Sequence, residues 1–312
     1  MKVVVTLSAA NAEPWMRLFR EALPAAHVER REPNAAHDAE PRADYVVIAE
    51  PCRTVFDAQP APKAAFTVAA GVGHVLRLSN LPTDMPLVRL EDAGMAEPMA
   101  RYVLAAVLRF ALRMDTYAVQ QREARWEQTN ERSPATVRIG VLGLGVIGSA
   151  VALALAAQGF AVRGYASTPK HIDGIDCFAG AEQRDSFLAG LDVLVNVLPL
   201  TPMTAGLLDA RVFNLLADGA HIVNIGRGAT LVEADLLAAL DRGKLAGATL
   251  DVFAKEPLPP EHPFWSHPRV VVTPHVSGLT NPDKAVAQIV AKITRLERGE
   301  TVTGLVDRQR GY

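Results

Sequence analysis

The chain has 312 residues, a formal net charge of −2 at pH 7 and a hydrophobic content of 49%. This length is enough for two domains, each with its own core. The charge gives no basic surface for nucleic acid and no polybasic segment for a membrane. Cys52 and Cys177 are too few for a disulfide framework and lack metal-ligand spacing, so we expect a cytoplasmic protein with no metal site.

The first third of the chain alternates short apolar runs with a helical pattern. Strands are predicted at residues 3–7, 45–49 and 65–69, and an amphipathic helix at residues 13–23. The first apolar run is too short for a signal sequence or a membrane span, so it is interpreted as a strand. The segment 51–62, rich in proline and alanine, is predicted to form loops. Such alternation indicates βαβ units and a parallel sheet.

A long helix is predicted from Glu97 to Trp126. Its inner part, residues 102–112, is apolar on nearly all sides. A helix of this kind is buried on several sides, either by a domain core or by a second subunit. We therefore expect a two-fold homodimer with residues 99–110 in the interface, and a helix buried entirely within its own chain is the alternative.

A glycine-rich turn follows, in the segment VRIGVLGLGVIGS that begins at Val137. Gly143, Gly145 and Gly148 form a G-x-G-x-x-G pattern between an apolar run and a helix-forming run. In this context the first glycine permits a tight turn, the second lets the backbone approach a pyrophosphate, and the third lets the helix pack on the strand. The pattern predicts dinucleotide binding at a helix N-terminus, with a purely structural turn as the alternative.

The second half of the chain repeats the strand and helix pattern more regularly. Helices are predicted at residues 150–158, 233–241 and 282–298. The predicted strands are residues 137–142, 161–165, 193–197, 221–225, 248–252 and 270–273. Six parallel strands make a complete Rossmann domain. Because no strand is predicted after them, the final helix is expected to return to the first domain.

Three segments at the ends of these later strands carry the chemistry. Arg227 leaves its strand between two glycines, and a guanidinium binds a carboxylate at two points and polarises a carbonyl. His275 directly follows a buried strand and can serve as a general acid-base, while a carboxylate such as Glu256 would orient its imidazole. Taken singly, these residues are also compatible with a surface turn, a solvated loop charge and a histidine without a catalytic role.

Together the motifs resemble the D-isomer-specific 2-hydroxyacid dehydrogenase family. The order G-x-G-x-x-G, N-x-G-R-G, D-V-F-x-x-E-P and T-P-H carries the resemblance, which covers essentially the whole chain. Residues 195–202 resemble the family's cofactor-side loop, residues 70–74 its substrate-carboxylate loop and residues 94–97 the start of its inter-domain helix. Residues 262–265 and 302–306 most resemble the glyoxylate/hydroxypyruvate reductase A subgroup.

The resemblance implies an α/β fold of two doubly wound parallel-sheet domains with the active site in the cleft between them. Residues 97–280 would form the Rossmann cofactor domain. Residues 1–96 and 281–312 would form a flavodoxin-like substrate domain. The implied reaction is the NAD(P)H-dependent reduction of a small 2-oxo acid, of the glyoxylate or hydroxypyruvate class, to the D-2-hydroxy acid.

The resemblance also assigns roles to single residues. Arg227 would bind the substrate carboxylate and carbonyl, and His275 would protonate the carbonyl oxygen as hydride arrives. Glu256 would pair with His275 and favour its charged form. The main-chain N–H groups of Val72 and Gly73 would complete the carboxylate site.

A larger set of cofactor contacts is implied around the glycine-rich turn and the loops after the later strands. The implied residues are Gly143, Gly145, Val146, Ile147, Gly148, Ala166, Ser167, Thr168, Lys170, Leu198, Pro199, Thr204, Ile225, Gly226, Arg227, Asp251 and His275. Asp251 would lie near the nicotinamide carboxamide, with a cap on the end of its strand as the alternative.

This chain departs from the family pattern at three positions. Gly73 stands where many relatives have aspartate, which predicts a more mobile loop. Ala49 falls where the reductase A subgroup has a tryptophan that lines the active site, which predicts an altered pocket. Ala166 stands where NAD enzymes carry an acidic residue for the ribose 2′-hydroxyl. Because Ser167 and Lys170 follow with a donor and a positive charge, we expect NADPH to be preferred, with NADH as the alternative cofactor.

Two other functions are compatible with this fold. The first is the oxidation of formate or phosphite; relatives that oxidise formate have glutamine in place of the carboxylate beside the histidine, and Glu256 argues against that activity. Some family members act as corepressors that sense dinucleotides, and an intact catalytic set does not exclude that role.

Overall fold

The computed structural model describes residues 1–33, 43–52, 54–57, 61–68 and 71–311, with only the main chain of Asn11. The end of the strand predicted at 65–69, the start of the loop predicted at 70–74 and parts of the segment 51–62 lie outside these residues. The chain forms two compact units, Met1–Gly94 with Thr280–Tyr312, and Met95–Leu279. The functional assignment of the two domains remains a prediction.

The first unit contains a parallel sheet of five strands in the order β2-β1-β3-β4-β5. The strands are β1 (Lys2–Thr6), β2 (His27–Arg31), β3 (Tyr45–Ile48), β4 (Ala64–Thr67) and β5 (Leu87–Arg89). Helices α1 (Ala9–Ala22) and α2 (Gly73–Leu76) follow β1 and β4. The sequence did not predict β2 and β5, because edge strands need no continuous apolar run and β2 carries four polar residues in its five.

The second unit contains a parallel sheet of seven strands in the order β12-β11-β10-β9-β6-β7-β8. The strands are β6 (Arg138–Leu142), β7 (Ala161–Ala166), β8 (Asp176–Ala179), β9 (Val193–Asn196), β10 (Ala220–Asn224), β11 (Leu245–Leu250) and β12 (Val270–Val272). The helices are α3 (Ala96–Ala111), α4 (Met114–Arg122), α5 (Val146–Ala156), α6 (Arg184–Leu188), α7 (Ala210–Leu215) and α8 (Glu233–Asp241). The predicted fold class of two parallel-sheet α/β domains is confirmed, with β8 as an additional edge strand.

The prediction of one helix from Glu97 to Trp126 is wrong. Helix α3 ends at Ala111, and Arg113 takes a left-handed φ of 59° before α4 begins. Arg132 supplies the reason, because its main-chain N–H donates to the carbonyl of Ala111 and its guanidinium donates to the carbonyl of Phe110 at 2.8 Å. These bonds satisfy carbonyl groups that a continuing helix would have used.

Helix α3 is buried on one face within its own unit. Met99, Val103 and Phe110 are buried on that face, although they belong to the segment predicted for a subunit interface. Within its own chain α3 is therefore buried on one face, and burial of its other faces by a second subunit stays a prediction. Its exposed face ends in Leu112, which remains 43% exposed.

The C-terminal segment returns to the first unit, as the strand count predicted. Helix α9 (Pro282–Glu297) shares a hydrophobic core with α1, in which Ile289 and Ile293 lie with Phe19. Beyond α9 the chain forms an isolated antiparallel bridge from Leu305 to Val88 of β5, which the sequence did not predict. No helix in the described part of the chain is both long and apolar enough to cross a membrane.

Candidate active site

The glycine-rich turn joins β6 to α5 at the carboxyl end of the second sheet. Gly143 has a φ of +99°, which a residue with a side chain rarely adopts. A Cβ atom on Gly148 would overlap the carbonyl oxygen of Gly143, whereas one on Gly145 would meet no atom within 4 Å. Val146 and Ile147 then open α5. The turn is therefore tight on its inner side and open at Gly145, where a pyrophosphate would approach the helix N-terminus.

The loop after β7 contains the residues predicted to select between cofactors. Ala166 is the last residue of β7 and is buried, while Ser167, Thr168 and Lys170 are exposed. The loop thus offers two hydroxyl groups and one ammonium group to solvent. No acidic side chain stands between residues 166 and 170.

The loop after β9 is closed by one of the predicted cofactor residues. The hydroxyl of Thr204 donates to the carbonyl of Pro199 at 2.6 Å and accepts from the N–H of Thr201 at 2.8 Å. Both bonding roles of this hydroxyl are therefore used inside the loop. Leu198 of the same loop lies against the glycine turn, because a Cβ on Gly143 would be 3.2 Å from its Cδ2.

A buried polar network lies beneath Arg227. Asn196 ends β9 and Asn224 ends β10, and both are fully buried. Nδ2 of Asn196 donates to Oδ1 of Asn224 at 2.9 Å and to Oγ1 of Thr230 at 2.8 Å. Thr230 in turn donates to the main-chain carbonyl of Arg227 at 2.6 Å. The main-chain carbonyl of Arg227 is therefore fixed by a hydrogen-bond network of side chains that contact no solvent.

The same two asparagines hold three of the predicted cofactor residues. Ile225 donates its N–H to the carbonyl of Asn196 at 3.1 Å. Gly226 donates to Oδ1 of Asn224, and Leu198 donates to Oδ1 of Asn196, both at 3.2 Å. The loops after β9 and β10 therefore form one hydrogen-bonded assembly.

The Arg227 side chain is half-buried. Burial lowers its pKa, and the negative charge of Glu256 opposes that change. An arginine stays protonated at any pH at which the protein is folded, so burial strengthens its attraction for an anion rather than neutralising it. Its Nη1 donates to the carbonyl of Gly226 at 2.6 Å, which orients the side chain.

His275 and Glu256 form a direct pair. Nδ1 of His275 lies 2.8 Å from Oε2 of Glu256, and Oε1 of Glu256 accepts from the N–H of Phe253 at 2.9 Å. With Nδ1–H directed at the carboxylate, Nε2 is the atom that can exchange a proton with a ligand. The His275 side chain is 47% exposed, so a ligand can reach it.

Asp251 anchors the loop that carries His275. Its carboxylate is fully buried and accepts from Oγ1 of Thr273 at 2.6 Å and from the N–H groups of Val276 and Ser277 at 2.8 and 2.9 Å. Its own carbonyl accepts from the N–H of His275, which has a left-handed φ of 55°. These bonds match the alternative of a strand-end cap, and a contact with the nicotinamide stays a prediction.

Tyr102 extends this anchor to helix α3. Its hydroxyl lies 2.6 Å from Oγ1 of Thr273. Thr273 donates its one hydroxyl proton to Asp251, so Tyr102 is the donor in this contact. Burial raises the pKa of Tyr102, which keeps its phenol protonated.

The predicted substrate-carboxylate residues lie in the first unit. Val72 is buried and immediately precedes α2, which begins at Gly73. A Cβ on Gly73 would lie 3.6 Å from Nη1 of Arg77, an ordinary contact. The conformation there does not require glycine, so the predicted effect of Gly73 on loop mobility stays a prediction.

Four polar residues of this site, Asn196, Thr230, Tyr102 and Thr273, were not predicted from the sequence. A signal was present for two of them, because Asn196 interrupts the apolar run 193–198 and Thr273 ends an apolar strand. Polar residues in such positions are buried and must find partners. Within the described residues, no group of three or more histidine, cysteine, aspartate or glutamate side chains is arranged to hold a metal ion.

Comparison with known proteins settles the family. Residues 104–277 match the sequence profile of the D-isomer specific 2-hydroxyacid dehydrogenase, NAD binding domain, which is more than half of the chain. The chain belongs to the D-isomer specific 2-hydroxyacid dehydrogenase family. The family predicted from the four motifs is thus confirmed.

Relatives within this family match over nearly the full length. Glyoxylate/hydroxypyruvate reductase A of Serratia proteamaculans is 46% identical over 307 residues, with 97% of each chain covered. A solved family structure from Xanthobacter autotrophicus Py2, in complex with NADPH and MES, has a TM-score of 0.94 and 41% identity, with 99% of each chain covered. The NADPH-dependent glyoxylate/hydroxypyruvate reductase of Sinorhizobium meliloti, in complex with NADP and sulfate, has a TM-score of 0.91 and 34% identity, covering 100% of this chain and 99% of that chain.

Proposed function

We propose that this chain reduces a small 2-oxo acid to the D-2-hydroxy acid with NADPH as hydride donor. The observation that carries the proposal is the 2.8 Å contact between His275 and Glu256. Arg227 follows β10 and His275 follows β12, so both leave the carboxyl edge of one parallel sheet. Doubly wound sheets bind their ligands at this edge.

The glycine turn and the loop after β7 fit the cofactor. The open space at Gly145 and the start of α5 suit a pyrophosphate, and the exposed Ser167, Thr168 and Lys170 suit a 2′-phosphate. Bound NADPH would supply the hydride. Two family structures, from Xanthobacter autotrophicus and Sinorhizobium meliloti, hold NADPH or NADP, which supports this choice over NADH.

The residues of this chain would then perform the remaining chemistry. The Arg227 guanidinium would bind the substrate carboxylate and polarise the neighbouring carbonyl, which makes its carbon more electrophilic. As that carbon gains hydride, Nε2 of His275 would transfer a proton to the carbonyl oxygen, so the oxygen becomes a neutral hydroxyl group while the carboxylate keeps its charge. Glu256 would stabilise the imidazolium before the transfer and fix the ring orientation.

The two units would divide the work. The unit Met95–Leu279 would bind the cofactor and supply Arg227, Glu256 and His275, while the other would bind the substrate carboxylate through the N–H groups of Val72 and Gly73. The reductase names of two relatives, from Serratia proteamaculans and Sinorhizobium meliloti, support glyoxylate or hydroxypyruvate as the substrate class. The two free cysteines support a cytoplasmic location.

We further propose that the protein acts as a homodimer. Leu112 directly follows α3 and Met114 is the first residue of α4, and their side chains are 43% and 50% exposed. Exposed apolar side chains grouped in one region mark interaction surfaces. A two-fold axis near this region would bury the same side chains on both subunits.

A substrate panel tests the proposal. NADPH consumption is followed with glyoxylate, hydroxypyruvate, pyruvate and phenylpyruvate, and the product is resolved on a chiral column. We expect turnover with at least one acid and a D-configured product. Cofactor binding without turnover of any of them would exclude the reductase activity and favour a dinucleotide-sensing protein.

A further inference from the structure

The loop that carries His275 is attached to helix α3 at two points within the second unit. The Tyr102 hydroxyl lies 2.6 Å from Oγ1 of Thr273, which precedes His275 in the loop. After the histidine, a Cβ atom on Gly278 would lie only 2.6 Å from Sδ of Met99, so the main chain there packs directly on α3. Helix α3 therefore supports this loop on both sides of the histidine in the sequence.

The hydrogen bonds that start at Tyr102 run in one direction. Thr273 has one hydroxyl proton, which it donates to Oδ1 of Asp251 at 2.6 Å, so it accepts from Tyr102. Burial raises the pKa of Tyr102, and the phenol therefore keeps the proton that it donates. Because hydrogen bonds in a chain polarise one another, the bond from Tyr102 strengthens the bond from Thr273 to the carboxylate.

Asp251 transmits this restraint to the main chain around His275. Its carboxylate is fully buried and also accepts from the N–H groups of Val276 and Ser277 at 2.8 and 2.9 Å. Its main-chain carbonyl accepts from the N–H of His275 at 2.9 Å. Asp251 therefore holds the main chain at three consecutive residues, 275–277.

His275 needs this restraint because its own backbone conformation is unfavourable. Its φ of 55° lies in the left-handed region that residues with a side chain rarely adopt. Such a conformation persists only where several surrounding contacts enforce it. The 2.8 Å contact of the imidazole with Glu256 is made from this backbone conformation. A looser loop would therefore displace Nε2, the proposed proton donor.

From these contacts we propose that Tyr102 is a positioning residue for the proton transfer, and that it acts through Thr273 and Asp251 to hold His275 in place. This proposal rests on the proposed reductase function and adds a residue of α3 to it. A displacement of about 1 Å at a catalytic group can lower the rate about a hundredfold, so loss of this one hydrogen bond should lower kcat about tenfold.

Tyr102→Phe tests the proposal, because it removes the hydroxyl and keeps the ring. We expect kcat to fall about tenfold, with KM for the 2-oxo acid and for NADPH nearly unchanged, since a proton donor acts in the transition state and not in ground-state binding. Tyr117→Phe is the matched control. The Tyr117 hydroxyl is also hydrogen-bonded, to the carbonyl of Thr129 at 2.8 Å, but it belongs to α4, and this variant should keep the wild-type kcat.

Thr273 tests the path of the restraint. Thr273→Val removes the hydroxyl between Tyr102 and Asp251 and should lower kcat at least as much as Tyr102→Phe does. Thr273→Ser keeps a hydroxyl there and should restore kcat. A wild-type kcat in Tyr102→Phe would overturn the positioning role, and a wild-type kcat in Thr273→Val would overturn the path through Thr273.

A double-mutant cycle separates positioning from a general loss of folded protein. In a His275→Asn background, Tyr102→Phe should lower the residual turnover no further, because the side chain that Tyr102 positions is already absent. A further tenfold fall in that background would show a general structural effect and would count against the proposal.

Hydrogen exchange of the main-chain amides 275–277 tests the restraint without any substrate. Tyr102→Phe should speed their exchange about tenfold, and Tyr117→Phe should leave it unchanged. Equal exchange in the wild type and Tyr102→Phe would refute the restraint on the loop. If the wild type reduces no 2-oxo acid, the reductase function fails, and the exchange rates still decide whether Tyr102 holds this loop.

Discussion

Thr230 donates a hydrogen bond of 2.6 Å from its buried hydroxyl to the main-chain carbonyl of Arg227. The same hydroxyl accepts from Asn196, whose amide also donates to Asn224. The arginine proposed to bind the substrate carboxylate therefore rests on a network that is closed to solvent. A guanidinium that is already positioned binds a ligand more tightly than a mobile one, because its conformational entropy is lost when the protein folds and not when the ligand binds.

Replacing Thr230 with valine should weaken substrate binding without touching the substrate. Valine keeps the shape and removes the hydroxyl, so the Arg227 carbonyl and the Asn196 amide each lose a buried partner, at a cost of about 1–3 kcal/mol. We expect KM for the 2-oxo acid to rise about tenfold, with KM for NADPH nearly unchanged. Thr230→Ser restores the hydroxyl and should restore KM, whereas equal KM values in the wild type and the valine variant would contradict the positioning role.

His275 should dominate the chemical step. His275→Ala should lower kcat by about 10²- to 10⁴-fold, the usual size of general acid-base catalysis, with cofactor affinity retained. Because His275 has a left-handed φ of 55°, His275→Asn is the better control, since asparagine tolerates this conformation and lacks the acid. Both variants should lose turnover equally, and near wild-type kcat in either would refute the assignment.

Much of the site was predictable because it lies in short motifs at strand ends. Gly143, Arg227 and His275 each follow an apolar run, and the doubly wound fold brings such ends to one edge. The network beneath Arg227 was not predictable in the same way. It depends on the register of β9 and β10, which places Asn196 directly opposite Asn224, and no local pattern reports that pairing.

The errors in the predicted helices and strands also arise because the structure there depends on contacts between residues distant in the sequence. The break at Arg113 occurs in a run without glycine or proline, and it is stabilised by Arg132, a residue further along the chain. Local propensity favours one continuous helix there, and tertiary hydrogen bonds override it. The missed strands β2, β5 and β8 are short edge strands, where hydrophobic periodicity carries little signal.

Ala166 should govern the choice of cofactor. In the natural protein we expect kcat/KM to favour NADPH over NADH by about a hundredfold, because charge-assisted hydrogen bonds to a phosphate contribute about 1.5–3 kcal/mol each. Ala166→Asp should reverse the preference, since the carboxylate repels the phosphate and accepts from the ribose hydroxyl.

A charge-matched control separates this local effect from a change in net charge. Ala189 is exposed and precedes β9, so it lies at the amino edge of the sheet, away from the proposed cofactor site. Ala189→Asp should retain the preference for NADPH. Equal kcat/KM for the two cofactors in the natural protein would show that the loop merely tolerates both.

His221 should make stability fall in mild acid. Burial lowers its pKa to about 4; the negative charge of Asp115 opposes this change, and the positive charges of Arg109 and Arg132 add to it. Because the folded pKa lies below the ordinary value of 6.5, the unfolded chain binds the proton first as pH falls. Neutral His221 therefore contributes to the free energy of unfolding. This contribution is fully present above about pH 6.5 and is lost as the pH falls towards 4, a total loss of about 3 kcal/mol.

Urea unfolding at pH 7 and pH 5 measures this effect. His221→Gln keeps a polar side chain beside Thr249, whose hydroxyl lies 3.0 Å from Nε2 of His221. Between pH 7 and pH 5 the free energy of unfolding should fall by about 2 kcal/mol more in the wild type than in this variant. His171→Gln changes a side chain that is 92% exposed and should behave as the wild type, and identical losses in all three proteins would contradict the effect of burial.

The exposed apolar group at the end of α3 should hold the homodimer together. In solution the mass should be twice the 33.5 kDa of the chain at micromolar concentration. Leu112→Glu places a charge where the interface excludes water, and an unpaired buried charge costs about 3–5 kcal/mol, so the dimer should dissociate. Leu305→Glu alters a side chain that is 55% exposed in the other unit and should leave the dimer intact. A wild-type mass equal to one chain would refute the dimer, and a Leu112→Glu variant that stays dimeric would place its interface elsewhere.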